Sequence, residues 1–381
     1  MNLKFKCDYK INIFYCAYFL LFVSFFMSDV VVSNDLVIKL FRYTSYLLMI
    51  VGLIKKNIKN NNNIYWYFGA FVICLGISLI TRDVYWCTII LVILAMAELD
   101  MREIFKISYF TMLILTIVVV LLSIIGIIPN VENMRLGEEK IRLGLGFYHS
   151  DVLPLILFYL IIYRIILSRN NVSFKRVIIW IVSTIMLYLI CGSKNGLMGT
   201  IILLIMFFVI TRKKFSKSHI LLFLSRFVVV FLSIGSFFIM YFQGIGDAKL
   251  YVINNYFSGR FAIAYHAMTS IGVHLVNFMN GDKYTETISQ WFVIDNGYLY
   301  VMLRYGILFI IFYYVIHWAI TKKYKDNYYI IIVSIAVAFT NFVDNDLFSY
   351  NFLPILLLAF NSNIEDTIKL PFEGGSKNKN D

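Results

Sequence analysis

The stretch Arg169–Lys217, RNNVSFKRVIIWIVSTIMLYLICGSKNGLMGTIILLIMFFVITRKKFSK, decides how this chain is read. Two apolar runs, 177–191 and 196–211, meet at a short turn, Gly192-Ser193-Lys194-Asn195. Their far ends are basic: Arg169, Lys175 and Arg176 before the first, Arg212, Lys213, Lys214 and Lys217 after the second. Each run comes near the ~20 residues a helix needs to cross a bilayer. The runs are continuous rather than alternating, and lipid admits only segments whose backbone groups are satisfied internally, so they read as spanning helices. Basic residues at the two far ends place both on one side, and that side is cytoplasmic by the positive-inside rule.

The rest of the chain repeats this pattern. It has 381 residues, 60% hydrophobic and 15% charged, with a mean hydropathy of +0.78. A soluble domain carries about 45–50% apolar and about 25% charged residues, so the excess implies lipid as the main solvent. The net charge of +12 sits in short connections between apolar runs, which explains it by orientation bias and argues against nucleic acid as a partner. The five cysteines form no CxxC pair, and neither a disulfide framework nor a metal cluster is expected.

The spanning-length criterion gives about twelve helices: 11–32, 36–54, 64–80, 84–98, 107–128, 151–168, 177–191, 196–211, 220–242, 296–318, 328–343 and 347–361. Lys4, Lys6 and Lys10 precede a run that extends to Val32 without a small-residue cleavage site, which predicts a retained first helix. With both termini inside, every inside connection carries at least two basic residues. The fold class expected is therefore an all-α integral membrane protein, residues 1–361, with a cytoplasmic tail over 362–381. Two long outside loops are predicted, about 129–150 and 243–295, the larger between the ninth and tenth helices.

Basic residues in those loops oppose the orientation bias and so draw attention. The first loop holds Arg135 and Arg142, then a glycine-rich entry into the sixth helix with His149 at its mouth. Arginine offers a planar fork of donors suited to phosphate oxygens, and glycines let backbone approach a ligand. In the second loop, Tyr256–Met279 reads as an interfacial amphipathic helix with His266, Ser270, His274 and Asn277 in one stripe, and Arg260 in its first turn. Asp295 and Asn296 open the next helix. Arg304, about eight residues in, would lie roughly 12 Å deep at 1.5 Å per residue. Arg304 and Arg42 are thus candidate cavity residues, with snorkelling the competing reading. No P-loop is present. An Asp-x-Asp pair for a metal-bound nucleotide sugar is not expected outside, so no metal or cofactor is assigned.

Four stretches resemble the Wzy-type polysaccharide polymerases of bacteria and, more distantly, the O-antigen ligases. They are Arg142–Ser150 (RLGLGFYHS), Asn255–Arg260 (NYFSGR), Asp295–Gly306 (DNGYLYVMLRYG) and Cys191–Leu197 (CGSKNGL). Ser150-Asp151 stands where the family has Pro-Asn, and Lys194 where it has Arg. The resemblance implies a GT-C-like bundle in the bacterial cell membrane. It implies a metal-independent inverting glycosyl transfer that polymerises undecaprenyl-pyrophosphate-linked repeat units into capsular or O-antigen-like polysaccharide at the outer face. A flippase and a chain-length regulator would be its working partners.

The residues suit that chemistry. Negative charge develops on a lipid pyrophosphate as the glycosidic bond breaks, and preorganised arginines stabilise it. Arg142 and Arg260 are the first candidates, with Arg135, Arg304 and Arg42 as further substrate contacts, joined by His266, Asn296 and Tyr298. The acceptor hydroxyl needs a base; His149, His266 and Asp295 are open alternatives, and Asp295 could equally cap its helix. A flippase for the same lipid-linked units, or a ligase, is the competing function.

Overall fold

The computed structural model describes residues 9–55, 84–133, 141–168, 172–211, 219–246, 251, 252, 254, 259–277, 294–345 and 349–361, together with 69, 72, 75, 76, 78 and 79. Thirteen helices and one two-residue hairpin are present among them. The helices are α1 (Tyr9–Ser28), α2 (Asp35–Lys55), α3 (Tyr85–Met96), α4 (Met101–Ile124), α5 (Val152–Ser168), α6 (Phe174–Cys191), α7 (Lys194–Thr211), α8 (His219–Gly244), α9 (Arg260–Ile271), α10 (Gly297–Arg304), α11 (Ile307–Lys323), α12 (Tyr328–Val343) and α13 (Leu353–Phe360). Strands β1 (Glu132–Asn133) and β2 (Arg142–Leu143) pair antiparallel, with Asn133 opposite Arg142. Most of the expected helix 64–80, Arg135, the middle of the second loop and the tail 362–381 lie outside the described residues; 69, 72, 75, 76, 78 and 79, which are described, are helical.

Apolar residues fill both the centre and the periphery, which only a lipid surround explains. In α12 every residue from Ile330 to Ala338 is buried, as befits a helix that is hydrophobic all round. In α6 the arrangement is turned inside out: only Thr184 and Cys191 are buried, while Phe174, Ile179 and Leu189 are 72%, 60% and 59% exposed. Contiguous exposed apolar surface of that kind belongs against acyl chains. Asp35–Lys55, Met101–Ile124, Phe174–Cys191 and Ile220–Gly244 are each long and apolar enough to cross a membrane. The architecture is an all-helical, membrane-embedded bundle, with α2, α6 and α8 outermost by exposure.

Three sequence expectations need correction. The run 296–318 is not one helix: α10 ends at Arg304, and α11 begins at Ile307 after Gly306, whose φ is +105°. The break is filled by the segment that follows α9. Asn277 donates its backbone N–H to Tyr305 O at 2.9 Å and its side-chain amide to Leu303 O at 2.7 Å. Ile307 and Leu308 donate to His274 O and Leu275 O at 3.0 and 3.1 Å. A Cβ at position 306 would lie 2.6 Å from Leu275 O, so only glycine admits this docking.

The loop helix is also shorter than 256–279. It runs Arg260–Ile271 and stops at Gly272, so His274 and Asn277 leave the stripe they were expected to share with His266 and Ser270. Its start has a cause: Asn254 Oδ1 accepts from Phe261 N and Ala262 N at 3.1 and 3.2 Å, taking the first free amides of the helix. Its apolar side, Phe261, Ala264, Ala267 and Ile271, packs with Met240, Ile294, Leu299 and Leu303, facing the bundle. The last helix begins at Leu353 rather than 347, because residues 350–352 form turns.

Candidate functional site

One end of the bundle collects the connections after α1, α4, α6 and α12 and the approaches to α9 and α10. The β hairpin is anchored there by the segment after α1: Val31 N donates to Gly146 O at 3.0 Å and Tyr148 N to Asp29 O at 3.2 Å. Phe147 is fully buried and meets Phe26 edge-on at 5.8 Å. Gly146 of this loop is closely packed: a Cβ there would stand 2.8 Å from Val119 Cγ1 on α4.

Arg142 is delivered by this hairpin and is only 4% exposed. Its side chain lies across Gly192, which ends α6 with φ +64°. A Cβ there would meet Arg142 Cγ at 2.9 Å and Nε at 3.0 Å. Glycine therefore serves twice at this corner, once for the left-handed backbone and once for the arginine above it.

Arg260 reaches the same corner from the other loop. It is 5% exposed, in the first turn of α9, where the helix dipole disfavours a cation. Its partners offset that. Nε lies 3.1 Å from Asp295 Oδ2. Nη1 donates to Asn195 Oδ1 at 3.1 Å and to the Val343 carbonyl that ends α12. Asn195 Nδ2 in turn donates to Asp344 Oδ2 at 3.4 Å. The turn between α6 and α7 is thus the common seat of two buried arginines carried by separate loops.

The remaining expected residues distribute unevenly. His149 is half exposed; its Nδ1 accepts from Asp151 N at 3.2 Å and lies 3.6 Å from Asp151 Oδ2. His266 is exposed on α9, its carbonyl accepting from Thr269 and Ser270 hydroxyls at 2.8 and 3.0 Å. Asn296 is 1% exposed and committed to the fold: Oδ1 accepts from Leu299 N at 3.0 Å, and Nδ2 donates to Phe342 O at 2.7 Å. Tyr298 is likewise buried and donates to Ala338 O at 2.8 Å. Arg304 is the last residue of α10, the eighth from its start and just before the helix break. It donates to the Tyr300 hydroxyl and stacks on the rings of Tyr300 and Tyr305 at 5.5 and 5.2 Å. Arg42 lies over the Phe25 ring at 4.8 Å, and Phe25 stacks on Tyr350 at 6.0 Å.

Comparison with family models, curated proteins and solved structures finds no match.

Four residues at this end escaped the sequence reading. Asn195 and Asp344 hold Arg260 as described. Asp344 also opens an Asp344-Asn345-Asp346 run, which corrects the expectation that no Asp-x-Asp pair lies in these loops; Asp346 is outside the described residues. Asp29 accepts from the Tyr350 hydroxyl at 2.8 Å. Burial pushes its carboxyl up to about 6, against the lowering effect of that hydrogen bond. Tyr148 is raised by burial first, then by the charges of Asp29 and Asp344. The one signal in the sequence for all four is position: polar residues at the ends of apolar runs, on the side shared with Arg142 and Arg260.

Proposed function

We propose that this chain is a glycosyltransferase that polymerises lipid-pyrophosphate-linked oligosaccharide units at the outer face of the cell membrane, with the end holding Arg142 and Arg260 facing outward. The observation that carries the reading is the seating of these two buried arginines on one interhelical turn. Burying guanidinium groups beside a membrane is costly unless they meet anions. Asp295 already faces Arg260; a pyrophosphate leaving group supplies a stronger anion at the same place, and its charge grows as the glycosidic bond breaks. Fixed donors in a water-poor site stabilise that growth by about 3 kcal/mol each.

In this reading the nonreducing-end hydroxyl of one lipid-linked unit attacks the anomeric carbon of the growing chain. The carbon–oxygen bond to pyrophosphate breaks with inversion, and undecaprenyl pyrophosphate departs on the arginines. Inversion puts the base on the face opposite the leaving group. Asp295 stands against a leaving-group arginine, which suits a counter-ion that yields to the incoming pyrophosphate. His149, after the hairpin, is our assignment for the proton acceptor.

The test is reconstitution: purified protein in nanodiscs with undecaprenyl-pyrophosphate-linked repeat unit, products resolved on a gel. A ladder of lengths is expected, lost in Arg142→Ala and Arg260→Ala. In sealed proteoliposomes, movement of intact units across the bilayer without new glycosidic bonds would replace this reading with a flippase. A single addition onto a foreign acceptor would replace it with a ligase.

A further inference from the structure

Asn195 is 5% exposed and is the second residue of α7. Its amide faces two groups of opposite charge. Oδ1 accepts from Arg260 Nη1 at 3.1 Å, and Nδ2 donates to Asp344 Oδ2 at 3.4 Å. Both charged partners are themselves fixed by backbone. Arg260 Nη1 also donates to Val343 O. Asp344 Oδ1 accepts from Asn345 N at 2.8 Å, and the Asp344 carbonyl accepts from Gly297 N at 3.1 Å.

Among side chains of this size, only an amide carries an acceptor and a donor on one rigid plane without charge. An aspartate here would still accept from Arg260. It would also repel Asp344 and set a second carboxylate against a guanidinium that already faces Asp295. An alanine would leave Nη1 with the Val343 carbonyl alone and remove one of the three contacts that fix the plane of the guanidinium. Among the described residues the hydrogen bonds of this guanidinium use Nη1 and its ion pair uses Nε, and Nη2 is the edge we assign to a ligand oxygen.

We propose that Asn195 is a positioning residue: its amide sets the plane of the Arg260 guanidinium toward the substrate pyrophosphate and screens it from Asp344 without cancelling its charge. The proposal rests on the polymerase reading above. It adds a requirement for a neutral amide at a position that the family resemblance leaves unspecified.

The experiment compares Asn195→Ala, Asn195→Asp and Arg260→Ala as full-length protein in nanodiscs, elongating undecaprenyl-pyrophosphate-linked repeat unit between pH 5 and pH 8. Asn195→Asp is isosteric, and gel-filtration profiles establish that each variant is folded. Loss of one orienting hydrogen bond to a charged group predicts a fall in kcat of about ten- to thirtyfold for Asn195→Ala, with a pH profile parallel to the parent. Asn195→Asp is expected to be worse than alanine at pH 8. It should recover toward the parent as pH falls and the new carboxyl, flanked by Arg260, Asp344 and Asp295, regains a proton and its donor. Equal activity of the two variants with parallel pH profiles would overturn the proposal, as would parental activity in both. If Arg260→Ala also elongates normally, the polymerase site itself is misassigned. If Arg260→Ala is dead while both Asn195 variants match the parent, only the positioning role fails.

Discussion

Asp295 and Arg260 form a lopsided ion pair: at 3.1 Å separation the arginine side chain is 6% exposed and the aspartate 39%. The cation is locked in place, and the carboxylate sits where an incoming anion can displace it. A partly exposed pair contributes only about 0.2–1 kcal/mol. Asp295→Asn is therefore expected to keep polymerisation and to tighten binding of undecaprenyl pyrophosphate by up to about fivefold. Arg260→Ala should lose polymerisation by about 10²–10³-fold. Binding to nanodisc-held protein and product length on gels separate the two effects.

Gly192 offers a way to disturb Arg142 without touching it. Alanine at φ +64° costs roughly 1–2 kcal/mol, and the new methyl would press on Arg142 Cγ. Gly192→Ala should accumulate in the membrane near parental levels, because the strain is local. Its polymer should shorten toward that of Arg142→Ala. Parental chain length in Gly192→Ala would show that the seat of Arg142 is not what matters.

Asp29 predicts a pH dependence with a definite sign. Its folded-state carboxyl, near 6, lies above the ordinary value of about 3.9. The folded protein thus holds its proton more tightly than the unfolded chain. Stability falls as pH rises from about 4 to about 6 and stays lower above that, by on the order of 3 kcal/mol. Asp29→Asn keeps an acceptor for the Tyr350 hydroxyl and removes the charge. The variant should melt at higher temperature than the parent at pH 7.5, and the two curves should converge near pH 4. Melting in detergent at both pH values reads this directly.

The break between α10 and α11 depends on a residue without a side chain. Gly306→Ala would set a Cβ against Leu275 O and Val276 Cα at a φ that alanine tolerates poorly, at a cost of about 1–3 kcal/mol. Since Leu275 and Val276 must retreat, protease sensitivity around residues 272–277 should rise before global melting changes. Asn277→Ala, which loses the side-chain bond to Leu303 O and keeps the backbone bond to Tyr305 O, should produce a milder form of the same effect.

Apolar length carried most of the fold. The run 177–191 became Phe174–Cys191, and 151–168 became Val152–Ser168, because a helix in lipid needs nothing beyond its own backbone bonds. Where the chain bonds to distant segments, periodicity has no purchase. Nothing in GYLYVMLRYGILF signals a break except one glycine, and the groups that stabilise the break are contributed by His274–Asn277. The two loop arginines were legible as charges on an unfavourable side. Asn195 was not, since a polar residue in a tight turn is ordinary until its partners at 260 and 344 are placed beside it. Asn296 and Tyr298 were conspicuous at the mouth of a helix and turned out to cap and pack it.

The docking of His274–Asn277 at Tyr305–Leu308 also dictates an order of assembly. The ribosome releases the first segment before the second exists, so its carbonyls and amides wait in the loop for a helix still to be inserted. The α9 arm can close only after Ile307 and Leu308, at the start of α11, have been made. Arg260 rides on that arm, so its seat beside Asn195 and Asp295 is among the last parts of the molecule to form.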